Sequence, residues 1–322
     1  MDDPVCCDVF DSAAESAREI NSECCYKPGP PTLLFSREPG ATGGAQSLNI
    51  PGDVPGGWRP VPHLDRFGAN SYVLLTTKGV FVTSNIGGSP IVWTPLDSAT
   101  GACGVRASNS GGTPVFYLQA GSCDGRTPDQ IFVYRGIAPG GNWLRLKPPG
   151  NSGGFGVFAV DSANSNILMA SHLGGAEPEM VRSDDGGSTW HQDATLDRLM
   201  TGNGDFGYQN ATGPTDFTAF EGYPQPTLVA IDPENANLRV AGGADSGVFL
   251  SIDGGTHWSL ETDPVHAMTS GRPQLPRPRF AFFHQDGALV QVYIGTQGRG
   301  VWRASFSIPA RSAFSSVPGP AH

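Results

Sequence analysis

The chain has 322 residues, of which 44 are glycine and 28 proline, while only 16% are charged. Glycine shows no three-residue period, which excludes collagen, and 17 Phe, 7 Tyr and 6 Trp argue against a disordered chain. A formal charge of −10, with lysine confined to Lys27, Lys78 and Lys147, argues against nucleic acid or an anionic membrane as the main partner.

Taken from the N-terminus, residues 1–31 form a cysteine-rich segment of their own. Residues 8–23 read as a short helix, with Val9, Phe10, Ala13, Ala17 and Ile20 along one face. The vicinal pairs Cys6-Cys7 and Cys24-Cys25 bracket it. A straight helix holds Cys7 and Cys24 about 25 Å apart at 1.5 Å per residue, whereas a disulfide needs Cα atoms within about 7 Å. The pairs must therefore find other partners, or the helix must bend; interchain disulfides that join subunits and free thiols are the alternatives. Cys103 and Cys123 lie in one later stretch and are expected to pair with each other. Six cysteines without a metal-ligand spacing point to an oxidising compartment, extracellular or periplasmic. Residues 1–30 lack the apolar core of a signal peptide, so the chain as given is not expected to be exported by itself.

Residues 32–306 carry short apolar runs punctuated by glycine and proline. Residues 32–36 lead to Gly56-Gly57-Trp58. Residues 73–77 and 80–84 lead to Gly87-Gly88 and Trp93, and residues 115–118 and 131–134 lead to Gly140-Gly141-Asn142-Trp143. Residues 157–161 and 166–170 precede Ser183-Asp184-Asp185-Gly186-Gly187-Ser188-Thr189-Trp190. Residues 228–233, 238–242 and 247–250 precede Ser251-Ile252-Asp253-Gly254-Gly255-Thr256-His257-Trp258. The last copy runs through residues 279–283, 290–294 and 300–305 and ends before its own hairpin. Three strands, a hairpin and a fourth strand are the content of one propeller blade. The missing last strand is expected from an N-terminal strand near Trp58, which closes a ring of six blades, with five or seven allowed.

Both octets read Ser-x-Asp-x-Gly-x-x-Trp. Asp185 and Asp253 are placed to accept backbone N–H groups one or two residues on, closing an Asx-type turn. Gly186-Gly187 and Gly254-Gly255 supply the positive φ of a tight hairpin. Trp190 and Trp258 open the next strand with a large apolar surface. The structural residues are therefore Ser183, Asp185, Gly187 and Trp190, with Ser251, Asp253, Gly255 and Trp258.

These octets, together with residues 227–233 and Ile294-Gly295-Thr296-Gln297-Gly298-Arg299-Gly300-Val301-Trp302, resemble the Asp-box (BNR-type) repeats of β-propellers. That superfamily groups sialidases, sortilins and xyloglucanase-type glycosidases. The resemblance covers residues 155–306 specifically and implies an all-β propeller of four-stranded antiparallel blades, with the boxes away from any active site. It implies a fold more firmly than an activity. Sialidases of the superfamily carry an Arg-Ile-Pro motif. The nearest strings here are Arg37-Glu38-Pro39 and Arg59-Pro60, so sialidase chemistry is not expected. Other glycosidases of this fold use two opposed carboxylates roughly 5–10 Å apart.

In a propeller, the connections between blades and the turns between second and third strands share the face where ligands usually bind. The longest interblade connection, residues 197–226, contains Asp205, Tyr208, Asp216, Glu221 and Tyr223, and a loop of that length is more often functional than a plain linker. Asp245, Arg299, His172, Arg277 and Arg279 fall on the same expected face. Asp205, Glu221 and Asp245 are the candidate catalytic carboxylates. Tyr208 and Tyr223 are candidate sugar-stacking platforms, with Arg299 and His172 as further ligand contacts; the plain alternative is a set of ordinary solvated loop residues. No metal site is assigned and no cofactor is required. Calcium in the 203–221 loop stays open on its concentration of oxygen ligands, without an EF-hand spacing. His-Glu-x-x-His, Gly-x-Ser-x-Gly, P-loop and Cys-x-x-Cys patterns are absent.

Two functions follow. The first is a secreted, non-catalytic propeller that binds a glycan or an extracellular protein on its loop face, or assembles through its N-terminal cysteines. The second is a glycoside hydrolase with a carboxylate pair in the 203–245 loops. No stretch approaches transmembrane length. Residues 307–322, small and proline-rich, read as a flexible tail.

Overall fold

Apolar runs too short for helices, bounded by Gly, Pro and Asx turns, produce strands throughout. In the computed structural model the described residues are 19–22, 33–36, 46–53, 63–98, 101–123, 127–174, 179–201, 226–243, 246–262, 278–286, 289–296 and 300–307. They form an all-β propeller of antiparallel blades. Blade I comprises Leu64–Gly68, Ser71–Thr76, Gly79–Thr83 and Thr94–Asp97. Blade II comprises Ala102–Ser110, Thr113–Ala120, Gln130–Arg135 and Leu144–Arg145. Blade III comprises Gly154–Val160, Leu168–Leu173, Glu179–Ser183 and His191–Gln192. Blade IV comprises Leu228–Ile231, Arg239–Gly243, Gly247–Ser251 and Ser259–Leu260. Blade V has three strands, Pro278–Asp286, Leu289–Thr296 and Gly300–Ser307. Among the described residues five blades thus stand where six are favoured and five allowed.

The core lies between blades. Val73, Leu75, Val80 and Val82 of blade I pack with Val105, Phe116 and Leu118 of blade II. Val115, Tyr117 and Ile131 of blade II meet Phe155, Phe158 and Leu168 of blade III. Val157, Met169 and Met180 meet Val229, Ala241 and Phe249 of blade IV, and Val240 and Val248 meet Val290, Val292 and Ile294 of blade V. Burial on both faces explains why residues 157–160 and 167–170 read as continuous apolar runs rather than alternating ones. Each such side chain, fully buried, contributes about 1.5–3 kcal/mol.

A separate three-stranded sheet precedes the blades, in the order Glu19–Ser22, Leu33–Ser36, Gln46–Ser47. Residues 19–22, which the helical reading placed in the last turn of a helix, are a strand. Their backbone pairs antiparallel with Leu33–Ser36, Glu19 opposite Ser36 and Ser22 opposite Leu33, which satisfies its hydrogen-bonding groups by a ladder. The rest of the expected helix and the segment around Trp58 lie outside the described residues. Cys103 and Cys123 are joined in a disulfide with Cα atoms 5.9 Å apart. Among the described residues no helix is long and apolar enough to cross a membrane.

Candidate functional site: the central channel and its two faces

The first strand of each blade lies innermost, and all five line one central channel of about 710 Å³. Its polar lining comes from Asp65, Arg66, Arg106, Asn109, Ser162 and Glu234, none of which the sequence reading singled out. Backbone groups hold most of them. Asp65 accepts from Arg66 N through Oδ1 and from Ala107 N through Oδ2, both at 2.8 Å. Arg66 Nε donates to Gly68 O at 2.9 Å. Asn109 Nδ2 donates to Phe67 O and Ser162 Oγ to Pro233 O, each at 2.8 Å. These bonds join blade I to II and blade III to IV, so they tie adjacent blades together. Glu234 is exposed at the mouth. The channel's two carboxylates therefore have unlike settings, and the Asp65 carboxylate is occupied by amide donors.

One mouth of the channel is framed by the turns between first and second strands. Asp161 Oδ1 closes one such turn by accepting from Ala163 N at 2.7 Å and Asn164 N at 3.2 Å. Asp232 Oδ1 closes the equivalent turn by accepting from Glu234 N at 2.9 Å. Asp232 Oδ2 is buried without a hydrogen-bond partner, and burial pushes this carboxyl up to about 6, with the nearby Glu234 charge adding to the rise.

The two octets sit on this same face. Gly186 N donates to Asn166 O at 3.0 Å and Gly254 N to Asn237 O at 2.8 Å. Within the octets the reach differs from the expected one or two residues. Asp185 Oδ1 accepts from Thr189 N at 2.8 Å, and Asp253 Oδ1 from His257 N at 2.9 Å, each four residues on. The near positions belong to serine: Ser183 Oγ accepts from Gly187 N and Ser251 Oγ from Gly255 N, both at 2.8 Å, while each hydroxyl donates to its own aspartate. The donation from Thr189 N holds Asp185 at about 2, and that from His257 N holds Asp253 at about 2. Both octets are closed turns whose carboxylates are used internally. Blade I holds a degraded version of the same turn ahead of Gly87-Gly88, in which threonine and asparagine replace the signature serine and aspartate: Thr83 Oγ1 accepts from Asn85 N at 3.2 Å.

Between blades III and IV lies a buried polar knot. Asp193 Oδ2 is 3.4 Å from Arg182 Nε and accepts from Trp258 Nε1 at 3.1 Å. Its Oδ1 accepts from Leu196 N at 3.1 Å, capping the helix Ala194–Met200. Arg182 NH1 also donates to Gly255 O at 3.3 Å. Burial and then the neighbouring Arg182 lower the pKa of Arg239 beside this knot. The signal for this residue in the sequence is an aspartate in N-cap position ahead of Ala194-Thr195-Leu196.

On the opposite face, among the described residues, lie the second-to-third turn of blade I, where Thr77 N donates to Asp53 O at 2.7 Å, and the connection 146–153 from blade II into blade III. His172 is on this face but buried, with Nε2 3.0 Å from Ser152 O and Nδ1 3.7 Å from Glu179 Oε2. Asp205, Tyr208, Asp216, Glu221, Tyr223, Asp245, Arg277 and Arg299 lie outside the described residues, as does the 203–221 loop considered for calcium. One group of three potential metal ligands occurs among the described residues, Cys103, Cys123 and Asp129. The two sulfurs are bonded to each other, and the Asp129 carboxylate accepts from Cys123 N at 3.1 Å and Gln119 Nε2 at 2.7 Å, so this donor set does not fit an ion.

No family model and no curated protein matches the chain. Among solved structures, YCF48 bound to D1 peptide superposes with a TM-score of 0.51 at 14% identity, over 92% of this chain and 76% of that one. YCF48 from Cyanidioschyzon merolae gives 0.48 at 14%, over 91% and 80%. The GH74 xyloglucanase from Xanthomonas campestris gives 0.42 at 14%, over 89% of this chain but 50% of that one. At such identities the likeness is one of fold: the neighbours are β-propellers, among them a peptide-bound protein and glycoside hydrolases.

Proposed function

We propose that this chain is an Asp-box propeller of the sialidase, sortilin and xyloglucanase-like superfamily that acts outside the cytoplasm as a non-catalytic binding scaffold. Its partner, a glycan or an extracellular protein segment, docks on the face of the interblade connections, with Asp205, Tyr208, Glu221, Tyr223, Asp245 and Arg299 as contacts. One observation carries the reading. On the octet face, and along the described channel, five aspartates are engaged by backbone amides: Asp65, Asp161, Asp185, Asp232 and Asp253 each close a turn or join blades. That face is structural, which leaves the opposite loops for recognition. The Cys103–Cys123 disulfide supports an oxidising compartment.

The test is a glycan and peptide array run beside a hydrolysis screen on the same glycans. Binding without turnover, weakened in Tyr208→Ala and Tyr223→Ala, is the expected result. Turnover that disappears in Asp205→Asn, Glu221→Gln or Asp245→Asn would replace the scaffold reading with a glycoside hydrolase.

A further inference from the structure

Blade II brings two sulfurs and a carboxylate to one buried point. Cys103 stands in the inner strand Ala102–Ser110, Cys123 three residues past the second strand Thr113–Ala120, and Asp129 just ahead of the third strand Gln130–Arg135. All three are at most 1% exposed, and their donor atoms lie within 4.8 Å of one another. The backbone bends to make this meeting. Ala102 pairs with Ala120 and Gly104 with Gln119, so Cys103 is the extra residue of a β-bulge, a device that re-aims a side chain. Its Sγ lies 3.4 Å from the backbone oxygen Gln119 O. Cys123 has φ of 47°, a left-handed conformation that residues with a Cβ rarely adopt. Gly121 leaves its side-chain space to the carboxylate, since a Cβ there would collide with Asp129 Oδ1.

Joining two sulfurs does not call for a buried carboxylate beside them. Burying one is costly unless it is paired, hydrogen-bonded or ligates a metal. Asp129 accepts from Cys123 N at 3.1 Å and from Gln119 Nε2 at 2.7 Å, and both of these donors are uncharged. Hydrogen bonds of this kind also orient a carboxylate that ligates a metal. The other end of the same amide, Gln119 Oε1, is a buried acceptor with no hydrogen-bond partner.

Thiolate sulfur and carboxylate or carbonyl oxygen are donors that zinc takes, at about 2.3 Å and about 2.0–2.2 Å in a tetrahedron. Those lengths set neighbouring donors about 3.4–3.8 Å apart, the spacing that Cys103 Sγ and Gln119 O already have. Going from a bond of about 2 Å to that spacing moves each sulfur by about 0.9 Å. We propose that Cys103, Cys123 and Asp129 are the ligands of a zinc site that exists when their disulfide is reduced, with an oxygen of Gln119 in the fourth position. Blade II then has one staple with two forms, a disulfide and a zinc-bound dithiolate.

The interconversion balances. Two thiols of a reductant such as glutathione supply two electrons and two protons, leave as the glutathione disulfide, and convert Cys103 and Cys123 to thiols. Zinc then displaces both thiol protons to water as two Zn–S bonds form. Oxidised glutathione reverses this: the S–S bond re-forms, the ion is released, and glutathione leaves as two thiols. Either form holds the junction of blades II and III. Asp129 and Phe155 exchange two backbone hydrogen bonds of 2.9 Å, and Gln119 Nε2 donates to Gly156 O at 2.8 Å. Opening the disulfide releases Cys123, whose N–H positions the Asp129 carboxylate, and zinc on the same residues restores the tie.

The test uses the full-length chain carrying Cys6→Ser, Cys7→Ser, Cys24→Ser and Cys25→Ser, which removes the other thiols. It is reduced with a phosphine under nitrogen and titrated with Co2+, a spectroscopic stand-in for zinc. Uptake of one equivalent is expected, with a thiolate-to-cobalt charge-transfer band and the strong visible absorption of a tetrahedral ion, both lost when zinc is added. The disulfide form is expected to take up none. Asp129→Asn keeps an oxygen for Cys123 N and is expected to weaken zinc binding about tenfold or more, read by competition with a chromophoric chelator. Thermal unfolding of its disulfide form checks that this variant folds. Cobalt without the charge-transfer band, equal uptake by the disulfide form, or unchanged affinity in folded Asp129→Asn overturns the site. Should Asp129→Asn fail to fold, the parent decides: zinc is expected to raise the unfolding midpoint of the reduced chain and not that of the disulfide form. Absence of that rise overturns the proposal.

Discussion

Blades III and IV fold the same octet into the same turn yet anchor it in different surroundings. In blade III, Trp190 is half-buried and its indole donates to a backbone carbonyl, Lys147 O. In blade IV, Trp258 is 9% exposed and its indole donates to Asp193, a buried carboxylate that also faces Arg182 and caps a helix. The first-to-second turns diverge in the same way. Asp161 has the buried Arg239 within its field, whereas the charge facing Asp232 is Glu234. The repeat dictates the shape of each turn, and its surroundings, the adjoining blade at Trp258 and Asp161 and the turn's own Glu234 at Asp232, decide what that turn contributes to stability.

The largest expected effect falls on the knot that only blade IV uses. Asp193→Ala leaves Arg182 without its carboxylate and Trp258 without its acceptor, and is expected to cost about 3–5 kcal/mol. Urea unfolding measures it as a drop in midpoint at unchanged slope. The tryptophans come next. Trp258→Phe is expected to cost about 2 kcal/mol, since it leaves a cavity and takes one donor from the buried Asp193 carboxylate, which keeps Arg182 and Leu196 N. Trp190→Phe, which loses a bond open to water, is expected to cost about 1 kcal/mol. Equal losses at the two positions would end the distinction between the blades.

The second glycines of the octets sharpen the comparison from the backbone side. Gly187 and Gly255 both have φ of 85°, so alanine is strained at either, by about 1–2 kcal/mol. A Cβ at Gly187 would stand 2.4 Å from Leu146 Cδ1, while at Gly255 the nearest atom is Arg182 NH1 at 3.4 Å. Gly187→Ala is therefore expected to lose about 1 kcal/mol more than Gly255→Ala. Thermal unfolding of the two variants side by side gives the difference, and the reverse order would show that the Arg182 contact is the stiffer one.

The sequence was most readable where a repeated turn needs particular atoms. Ser183, Asp185 and Gly187 recur as Ser251, Asp253 and Gly255 because a hydroxyl, a carboxylate and a positive φ have few substitutes. Thr83 and Asn85 are such substitutes, and with Ile86 in a glycine slot they leave the third turn legible only through Gly87-Gly88 and Trp93. The inner strands Leu64–Gly68 and Ala102–Ser110 escaped notice because their polar channel-lining positions, Asp65, Arg66 and Arg106, break the apolar run. At the N-terminus, Val9, Phe10, Ala13, Ala17 and Ile20 satisfy a helical period, yet residues 19–22 pair as a strand, a case of tertiary partnering overriding local pattern. Of the candidate site, His172 is visible as a buried pin between Ser152 and Glu179. Loop residues such as Asp205 carry no periodic signal to position them, because a loop's path depends on contacts that its own sequence does not repeat.

The smallest effect expected is also the one that separates the two turn aspartates by sign. Asp232 rises from 3.8 to about 6 on folding, so the folded chain binds a proton more readily than the unfolded one. Its charge costs nothing below pH 3.8, costs progressively more up to about 6, and costs its full amount above that. Asp232→Asn keeps an oxygen for Glu234 N and removes the charge. Stability at pH 7.5 is expected to rise by about 1 kcal/mol after allowance for solvent screening, with no gain at pH 3.5. Asp161→Asn has the opposite setting, since it takes a negative charge away from the buried Arg239, and is expected to lose stability at pH 7.5. Urea midpoints for both variants at the two pH values decide it. If both variants shift the same way at pH 7.5, Arg239 of blade IV does not tune the Asp161 turn, and the contrast between blades III and IV rests on Trp258 and Asp193 alone.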